Sequence, residues 1–211
     1  MKSILIYGGT FDPPHNGHLL TALTVQREFK FDKVYFIPCK SPVLKPESHA
    51  TCSQRIDMLR LALSSYKEFR IDLREIKRDS PSYMVDTLKS LREELGSKIA
   101  LTLLLGTDAF LQLPNWHKWR ELIDYAHILV IQRSIKTEGQ SDTLHHFVSN
   151  HLTSNKFNLR SKPAGLIYFY NAGLYDISST DIRDYIKEGK PIKQYLPHAV
   201  YRYIKQHSLY Q

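Results

Sequence analysis

The sequence is poor in cysteine, in acidic residues and in long apolar runs. Only two of its 211 residues are cysteines, Cys39 and Cys52, and they form neither a CxxC pair nor a cluster with histidine. A disulfide framework or a zinc site is therefore not expected, and a reducing compartment is the default. The apolar stretch near the amino terminus breaks at Gly8, and no run of about 18 apolar residues exists. We expect a cytoplasmic protein without a membrane segment.

The shortage of acidic residues leaves the chain basic. There are 29 Lys and Arg against 21 Asp and Glu, which gives a formal net charge of +8. A basic surface attracts anions, but it does not distinguish nucleic acid from nucleotide phosphates. The hydrophobic share of 42% is ordinary for a globular protein, and the length fits a single domain over residues 1–211.

Apolar runs alternate with stretches of helical periodicity along the whole chain. This pattern predicts an α/β fold, a Rossmann-like doubly wound parallel sheet with helices on both faces, and a small C-terminal helical region at about 179–211. Residues 39–51 are expected to form a proline-broken loop, and 137–161 a variable loop with one short helix. The predicted strands are 4–7, 34–37, 69–73, 99–105, 128–132 and 166–170; the predicted helices are 15–29, 53–65, 83–95, 180–187 and 197–206.

The first motif is GGTFDPPHNGH at residues 8–18, between a predicted strand and a predicted helix. Glycines after a strand let the backbone approach a phosphate, which backbone N–H groups can bind. His15 and His18 are three residues apart and face the same way on an opening helical turn. Each part alone is common in turns and on surfaces. The complete string at a strand-to-helix junction favours a phosphate site, with Gly17 leaving room for a ligand.

The second motif is ISSTDIR at residues 177–183. Ser178 with Asp181 three residues later is typical of a capping box, which is usually only a helix cap. The same helix start offers free N–H groups, the hydroxyls of Ser179 and Thr180, and the charge of Arg183 to an anion. The residues alone favour the cap and leave the anion site as the alternative.

The third motif is GTD at residues 106–108, followed by Trp116. An acid after a buried strand can accept a hydrogen bond from a ribose hydroxyl, and a tryptophan can stack on a flat heterocycle. A capping Asp108 and a core Trp116 are equally compatible with the sequence.

Together, these segments resemble the HxGH nucleotidylyltransferases, and GGTFDPPHNGH is very close to the pattern of the bacterial nicotinate-nucleotide adenylyltransferase family. ISSTDIR is similar to the second signature of that superfamily, and LLLGTDAFLQLPNWHKW to a third family segment. The resemblance spans nearly the whole chain except 137–161. Three departures are visible: the loop reads PVLK at 42–45 where the family often has PPHK or PPHR, Met84 stands where a small polar residue usually follows the tyrosine, and His117 stands where a tyrosine often sits.

The resemblance implies a role for each site residue. Transition-state stabilisation is implied for His15, His18 and Arg183. ATP binding is implied for Gly8, Gly9, Thr10, Phe11, Gly106, Asp108, Ser178, Ser179 and Thr180. Binding of the acceptor nucleotide is implied for Lys45, Tyr83, Met84, Val85, Trp116 and Arg133.

The reaction implied by the resemblance joins nicotinate mononucleotide and ATP to form nicotinate adenine dinucleotide and pyrophosphate. No protein metal site is expected; Mg²⁺ would be held mainly by the ATP phosphates and water. Nicotinamide-mononucleotide or phosphopantetheine adenylyltransferase is the alternative within the superfamily. A basic nucleic-acid-binding module is the alternative from another class, although the Lys and Arg residues are scattered. We expect no nucleic-acid or membrane partner, and homo-oligomerisation is left open.

Overall fold

The computed structural model describes residues 1–41, 48–132, 142–173 and 177–211. Within them, six strands form one parallel sheet in the order β3-β2-β1-β4-β5-β6. The order leads outward in one direction from β1 and in the other from β4, as in doubly wound Rossmann-like sheets. The predicted fold class is confirmed. The strands are β1 Ser3–Gly9, β2 Lys33–Pro38, β3 Phe69–Ile71, β4 Ala100–Gly106, β5 His127–Gln132 and β6 Ile167–Asn171.

The central strands are apolar throughout. The first six residues of β4 and the first five of β5 are buried. Ile4 lies opposite Leu101, and Leu103 opposite Ile128, in parallel register. Continuous apolar runs are typical of parallel strands that are covered on both faces, so the sequence predicted these strands well.

Helices fill the connections between the strands, and further helices follow β6. They are α1 Asn16–Phe29, α2 Cys52–Leu63, α3 Arg74–Lys77, α4 Met84–Leu95, α5 Thr107–Leu111, α6 Leu122–Tyr125, α7 Asp142–His151, α8 Asn158–Ser161, α9 Ser179–Lys187 and α10 His198–Gln206. Single 3₁₀ turns occur at Leu113–Asn115, Trp119–Glu121 and Lys193–Tyr195.

The chain divides into two compact units, of which the first contains residues 1–8, 25–35 and 83–174. Its core includes β4, β5 and the apolar face of α4 with Leu88 and Leu91. Nε2 of the buried His127 lies 2.9 Å from the carbonyl oxygen of Lys162, and Nδ1 accepts from the Leu166 N–H at 3.2 Å. Because Nδ1 accepts, Nε2 carries the proton of the neutral ring. Burial lowers the pKa of His127 to about 4.

The second unit contains residues 9–24, 36–82 and 175–211. Here α10 packs against α2, and both helices bury an apolar face that includes Leu59 on α2 and Val200 and Ile204 on α10. The predicted helices within 179–211 are therefore present as α9 and α10. The prediction of a single domain over the whole chain stays a prediction.

Several predicted boundaries were wrong for local reasons. The strand predicted at 69–73 ends at Ile71, because the Asp72 carboxylate accepts from the Arg74 N–H at 2.9 Å and starts α3. The helix predicted from 197 begins at His198, with Pro197 as its N-cap.

The region 137–161 was predicted as a variable loop with one short helix, and this was also wrong. Its described part contains both α7 and α8. Leu144, Phe147 and Val148 form a buried stripe on α7, which the histidines and polar residues between them obscured.

Candidate functional site

The loop after β1 leads from the sheet into α1 through the residues of the first motif. Phe11 has a left-handed backbone with φ of 51°, which is uncommon for a bulky residue. Its ring is 2% exposed and packs against Phe36 and, edge-on, against the imidazole of His18 at a centroid distance of 5.1 Å. The unusual backbone therefore places an apolar ring beneath the histidine.

We call residues 12–18 the histidine turn. The His15 N–H donates to His18 Nδ1 at 3.2 Å, and the two rings lie 3.7 Å apart at 34°. Since Nδ1 of His18 is an acceptor, the neutral ring carries its proton on Nε2 and can donate it elsewhere. His15 is 5% exposed, and His18 is half-buried. His18 is thus the more accessible donor of the pair.

Gly17 makes the close approach of these groups possible. A Cβ at this position would lie 2.9 Å from two atoms of the His15 ring and 3.2 Å from Cγ2 of Ile177. The space that the sequence assigned to a ligand is taken by these two side chains. Gly17 therefore acts on the site by letting the His15 ring and Ile177 pack against the helix start.

We call residues 177–183 the serine turn. Ser178 and Asp181 form the predicted capping box, in which the Asp181 N–H donates to Ser178 Oγ and the Ser178 N–H to the Asp181 carboxylate. Ser179 Oγ donates to the carbonyl of Pro13 at 2.9 Å. Arg183 donates to the carbonyl of Asp12 at 2.8 Å and to Thr180 Oγ1 at 3.2 Å. The three hydroxyls and the guanidinium thus all bond to protein atoms.

The histidine turn and the serine turn are consequently joined, although about 165 residues separate them along the chain. The capping box uses the N–H of Asp181, but the N–H groups of Ser179 and Thr180 belong to a first helical turn, where amides have no intrahelical acceptor. With the Nε2–H of His18, the second unit presents N–H donors suited to an anion such as a polyphosphate.

The loops after β1 and β2 are held by a residue that sequence analysis missed. Arg55 of α2 is 1% exposed and donates to the carbonyls of Thr10, Cys39 and Lys40 at 2.8, 2.9 and 3.0 Å. A buried guanidinium is tolerated here because its two terminal nitrogens donate to three carbonyls. Sequence analysis missed Arg55 because an arginine next to the apolar stripe of a helix is usually a surface residue.

Cys39 lies against the same loop. Its N–H donates to the carbonyl of Gly9 at 3.0 Å, and its thiol lies 3.7 Å from Thr10 Oγ1. Burial raises the pKa of the Cys39 thiol, although the Thr10 hydroxyl and the Arg55 charge oppose this shift. A neutral thiol is a weak nucleophile, so Cys39 is placed to support the loop.

In the first unit, Gly106 and Asp108 are exposed at the end of β4 and the start of α5. Thr107 anchors this helix start by donating from Oγ1 to the carbonyl of Ile131 at 3.0 Å. The carboxylate of Asp108 is therefore accessible on a fixed backbone, as a hydrogen bond to a ribose hydroxyl requires.

The start of α4 carries the predicted acceptor-binding residues. Tyr83 is the N-cap, makes no side-chain cap hydrogen bond, and stacks on His117 at 4.3 Å and 28°. Trp116 is half-buried and Val85 is buried. Met84 covers Gly8, since a Cβ on that glycine would lie 2.5 Å from the Met84 terminal methyl carbon.

Two predicted residues, Lys45 and Arg133, lie outside the described residues. Among the residues that the structure describes, no group of three or more His, Cys, Asp or Glu side chains could hold a metal ion. No helix in the described part of the chain is long and apolar enough to cross a membrane.

Known proteins resemble the chain over its full length. A family model described as cytidylyltransferase-like matches residues 6–185. The probable nicotinate-nucleotide adenylyltransferase of Legionella pneumophila (strain Paris) is 48% identical, with 100% of both chains covered. That of Methylococcus capsulatus is 43% identical over 97% of this chain and 98% of the relative.

A solved structure shares the fold. Plasmodium falciparum nicotinic acid mononucleotide adenylyltransferase, complexed with NaAD, matches with a TM-score of 0.70 at 20% identity, covering 100% of this chain and 98% of that one. The family is assigned from the sequence identities to these relatives, which extend over the whole chains. This chain belongs to the cytidylyltransferase-like family and, within it, to the nicotinate-nucleotide adenylyltransferases.

Proposed function

We propose that the protein transfers AMP from ATP to nicotinate mononucleotide and releases pyrophosphate. The family membership supports this reaction. The single observation that carries it is the pair of hydrogen bonds that joins the histidine turn to the serine turn, from Ser179 to Pro13 and from Arg183 to Asp12. These two hydrogen bonds bring together N–H donors from two segments that are distant in sequence, so that both can bind one polyphosphate.

The chemistry needs alignment and charge stabilisation. An oxygen of the acceptor's 5′-phosphate forms a bond to the α-phosphorus of ATP, and the bond from that phosphorus to the β-phosphate oxygen breaks. The attacking phosphate is already an anion, so no general base is required. The developing negative charge on the transferred group and on pyrophosphate is what the protein must stabilise.

We assign that stabilisation to three groups in the second unit. His18 donates from Nε2, because its Nδ1 is occupied by the His15 N–H. His15 fixes this orientation and adds its own ring. Arg183 supplies positive charge beside the serine turn, where the amides of Ser179 and Thr180 bind phosphate oxygens; Ser178 caps that turn.

The other nucleotide contacts are assigned by residue. Gly8, Gly9, Thr10 and Phe11 are assigned backbone contacts to ATP. Asp108 after Gly106 is assigned the ATP ribose, and Trp116 is assigned stacking on the pyridine ring. The amides at Tyr83, Met84 and Val85 receive the nicotinate carboxylate. Lys45 and Arg133, outside the described residues, are proposed to contact the acceptor's phosphate.

The N–H donors of the two turns also indicate how Mg²⁺ would be held. The turns present N–H groups, which bind phosphate oxygens and do not ligate cations. Mg²⁺ would therefore be held by the ATP phosphates and water, where it supplies charge neutralisation. We place the reaction in the cytoplasm, and homo-oligomerisation stays open.

Parallel pyrophosphate-release assays test the function. ATP is supplied with nicotinate mononucleotide, nicotinamide mononucleotide or phosphopantetheine, and duplex DNA binding is titrated with salt beside them. We expect the highest kcat/KM with nicotinate mononucleotide. A higher value with another acceptor, or salt-sensitive DNA binding without pyrophosphate release, would contradict the proposal.

A further inference from the structure

Asp12 is a buried carboxylate within the histidine turn. Its side chain is 3% exposed and accepts three hydrogen bonds from residues outside the turn. Oδ2 accepts from the His49 N–H at 2.7 Å, and Oδ1 accepts from the Ala50 N–H at 3.1 Å and from the Tyr210 hydroxyl at 2.7 Å. Two chain segments that are distant in sequence therefore hold one side chain of the turn.

Tyr210 reaches Asp12 only because the chain reverses sharply after α10. Ser208 and Tyr210 both have left-handed backbones, with φ of 48° and 67°. Such conformations are unfavourable for residues with side chains and persist where the surroundings enforce them. Tyr210 is 8% exposed. Burial and the neighbouring Asp12 raise the pKa of Tyr210, so the hydroxyl keeps the proton that it donates.

The docking of α10 does not depend on this hydrogen bond. Val200 and Ile204 are buried on α10, which packs against α2 without Tyr210. The reversal after the helix delivers a donor to Asp12.

The other side of the turn is held by the serine turn. The carbonyl of Asp12 accepts from Arg183, and that of Pro13 accepts from Ser179. Two residues further along, the His15 N–H donates to His18 Nδ1 and sets the direction of Nε2. A displacement of Asp12 would therefore be transmitted to the orientation of His18.

We propose that Asp12 and Tyr210 are positioning residues, whose hydrogen bond holds the histidine turn so that His18 Nε2 faces the transferred phosphoryl group. This inference rests on the proposed function. Neither residue needs to touch the nucleotides, and Tyr210 acts only through Asp12. The expected signature is a loss in kcat with little change in KM, because substrate binding by the other groups is retained.

The primary variant is Tyr210→Phe, which removes the donated proton and keeps the ring. We expect kcat for pyrophosphate release to fall about tenfold while KM for nicotinate mononucleotide stays within about twofold. The matched control is Tyr203→Phe on α10, which removes a hydroxyl hydrogen-bonded to Asp57 and should leave kcat unchanged. An unchanged kcat in Tyr210→Phe overturns the inference.

A double-mutant cycle with His18→Ala separates positioning from general loosening. In single-turnover assays, Tyr210→Phe should change the rate of the His18→Ala enzyme less than about twofold, because the group it orients is gone. The same tenfold loss in both backgrounds overturns the inference.

Val200→Ala serves as a stability control, since it lowers the melting temperature without touching Asp12. Its kcat should stay at the wild-type value at a temperature well below melting; an equal tenfold loss there also overturns the inference. If the wild-type protein releases no pyrophosphate with any acceptor, the proposed function itself fails, and that outcome is distinct from a failure of Tyr210→Phe.

Discussion

At the scale of single residues, the site depends on where protons sit. The His15 N–H fixes the tautomer of His18 by donating to Nδ1 at 3.2 Å, and the buried Phe11 ring supports the imidazole from one side. A donor with a fixed direction stabilises charge without reorganising during the reaction.

His18→Ala is therefore predicted to lower kcat by about 10²–10³-fold, the usual cost of losing one transition-state donor. The melting temperature should change little, because the ring is only half-buried. Pyrophosphate release and thermal unfolding measure the two effects. His145→Ala, at an exposed position on α7, is the matched control and should match the wild type in both. Wild-type turnover in His18→Ala would remove the role given to this residue.

Gly17→Ala is predicted to damage the site through crowding. The added Cβ would lie 2.9 Å from the His15 ring and 3.2 Å from Ile177, so one of them must shift. Overpacking of this kind costs about 1–3 kcal/mol of unfolding free energy, and the displaced His15 should lower kcat as well. Urea unfolding and steady-state kinetics measure both losses. Leu20→Ala, exposed on the same helix, should show neither.

At the scale of elements, helix starts and strand starts carry specific polar contacts. The capping box of α9 is mirrored by a second one on α2, where Thr51 and Gln54 exchange the same pair of hydrogen bonds. On α9 the cap also fixes the serine turn, so its loss should be felt in stability and in ATP binding.

Ser178→Ala should lower the unfolding free energy by about 1 kcal/mol, the typical cost of removing an N-cap side chain. KM for ATP should rise, because the first-turn amides lose their fixed direction. Ser178→Thr retains a capping hydroxyl and is expected to restore most of both quantities. A normal KM for ATP in Ser178→Ala would show that the turn does not need its cap.

His127 predicts a pH dependence of stability. Its pKa is lowered to about 4 by burial, whereas an unfolded histidine titrates near 6.5. Its contribution is therefore complete above the unfolded value and is lost as pH falls from about 6.5 towards 4, by about 2 kcal/mol at pH 5. Urea unfolding at pH 7.5 and pH 5 measures the loss, which should shrink in His127→Gln. An equal pH dependence in both proteins would rule out this assignment.

Elements and site were predictable to different degrees. The apolar runs of β4 and β5 identified the sheet, because strands that are buried on both faces are apolar throughout. The strand-to-helix motif at residues 8–18 identified the histidine turn. Asp12 and Arg55 could not be assigned, since their partners are backbone groups and, for Asp12, a tyrosine hydroxyl from other segments of the chain. Contacts of this kind exist only after the chain has folded.

At the scale of the whole molecule, ligand binding and folding are linked. The net charge of +8 favours anions in general, and we propose that the assembled turns of the second unit bind a polyphosphate in particular. A ligand that binds only the folded state must stabilise it by mass action.

ATP at about 100 times its Kd should therefore raise the unfolding free energy by about 2.7 kcal/mol. Adenosine at the same concentration should raise it far less, because it lacks the phosphates that we propose the two turns bind. Thermal unfolding with each compound measures the difference. Equal stabilisation by both compounds would place the binding energy on the base and sugar and not on the turns.

Arg55 couples the loops of the second unit to a helix core. Its guanidinium holds carbonyls that follow β1 and β2, while its backbone belongs to α2. Any local opening of α2 would break these hydrogen bonds to both loops at once. On heating, the protein should therefore lose its activity before the bulk of its secondary structure melts. The loss should occur in a single step and be reversible on cooling.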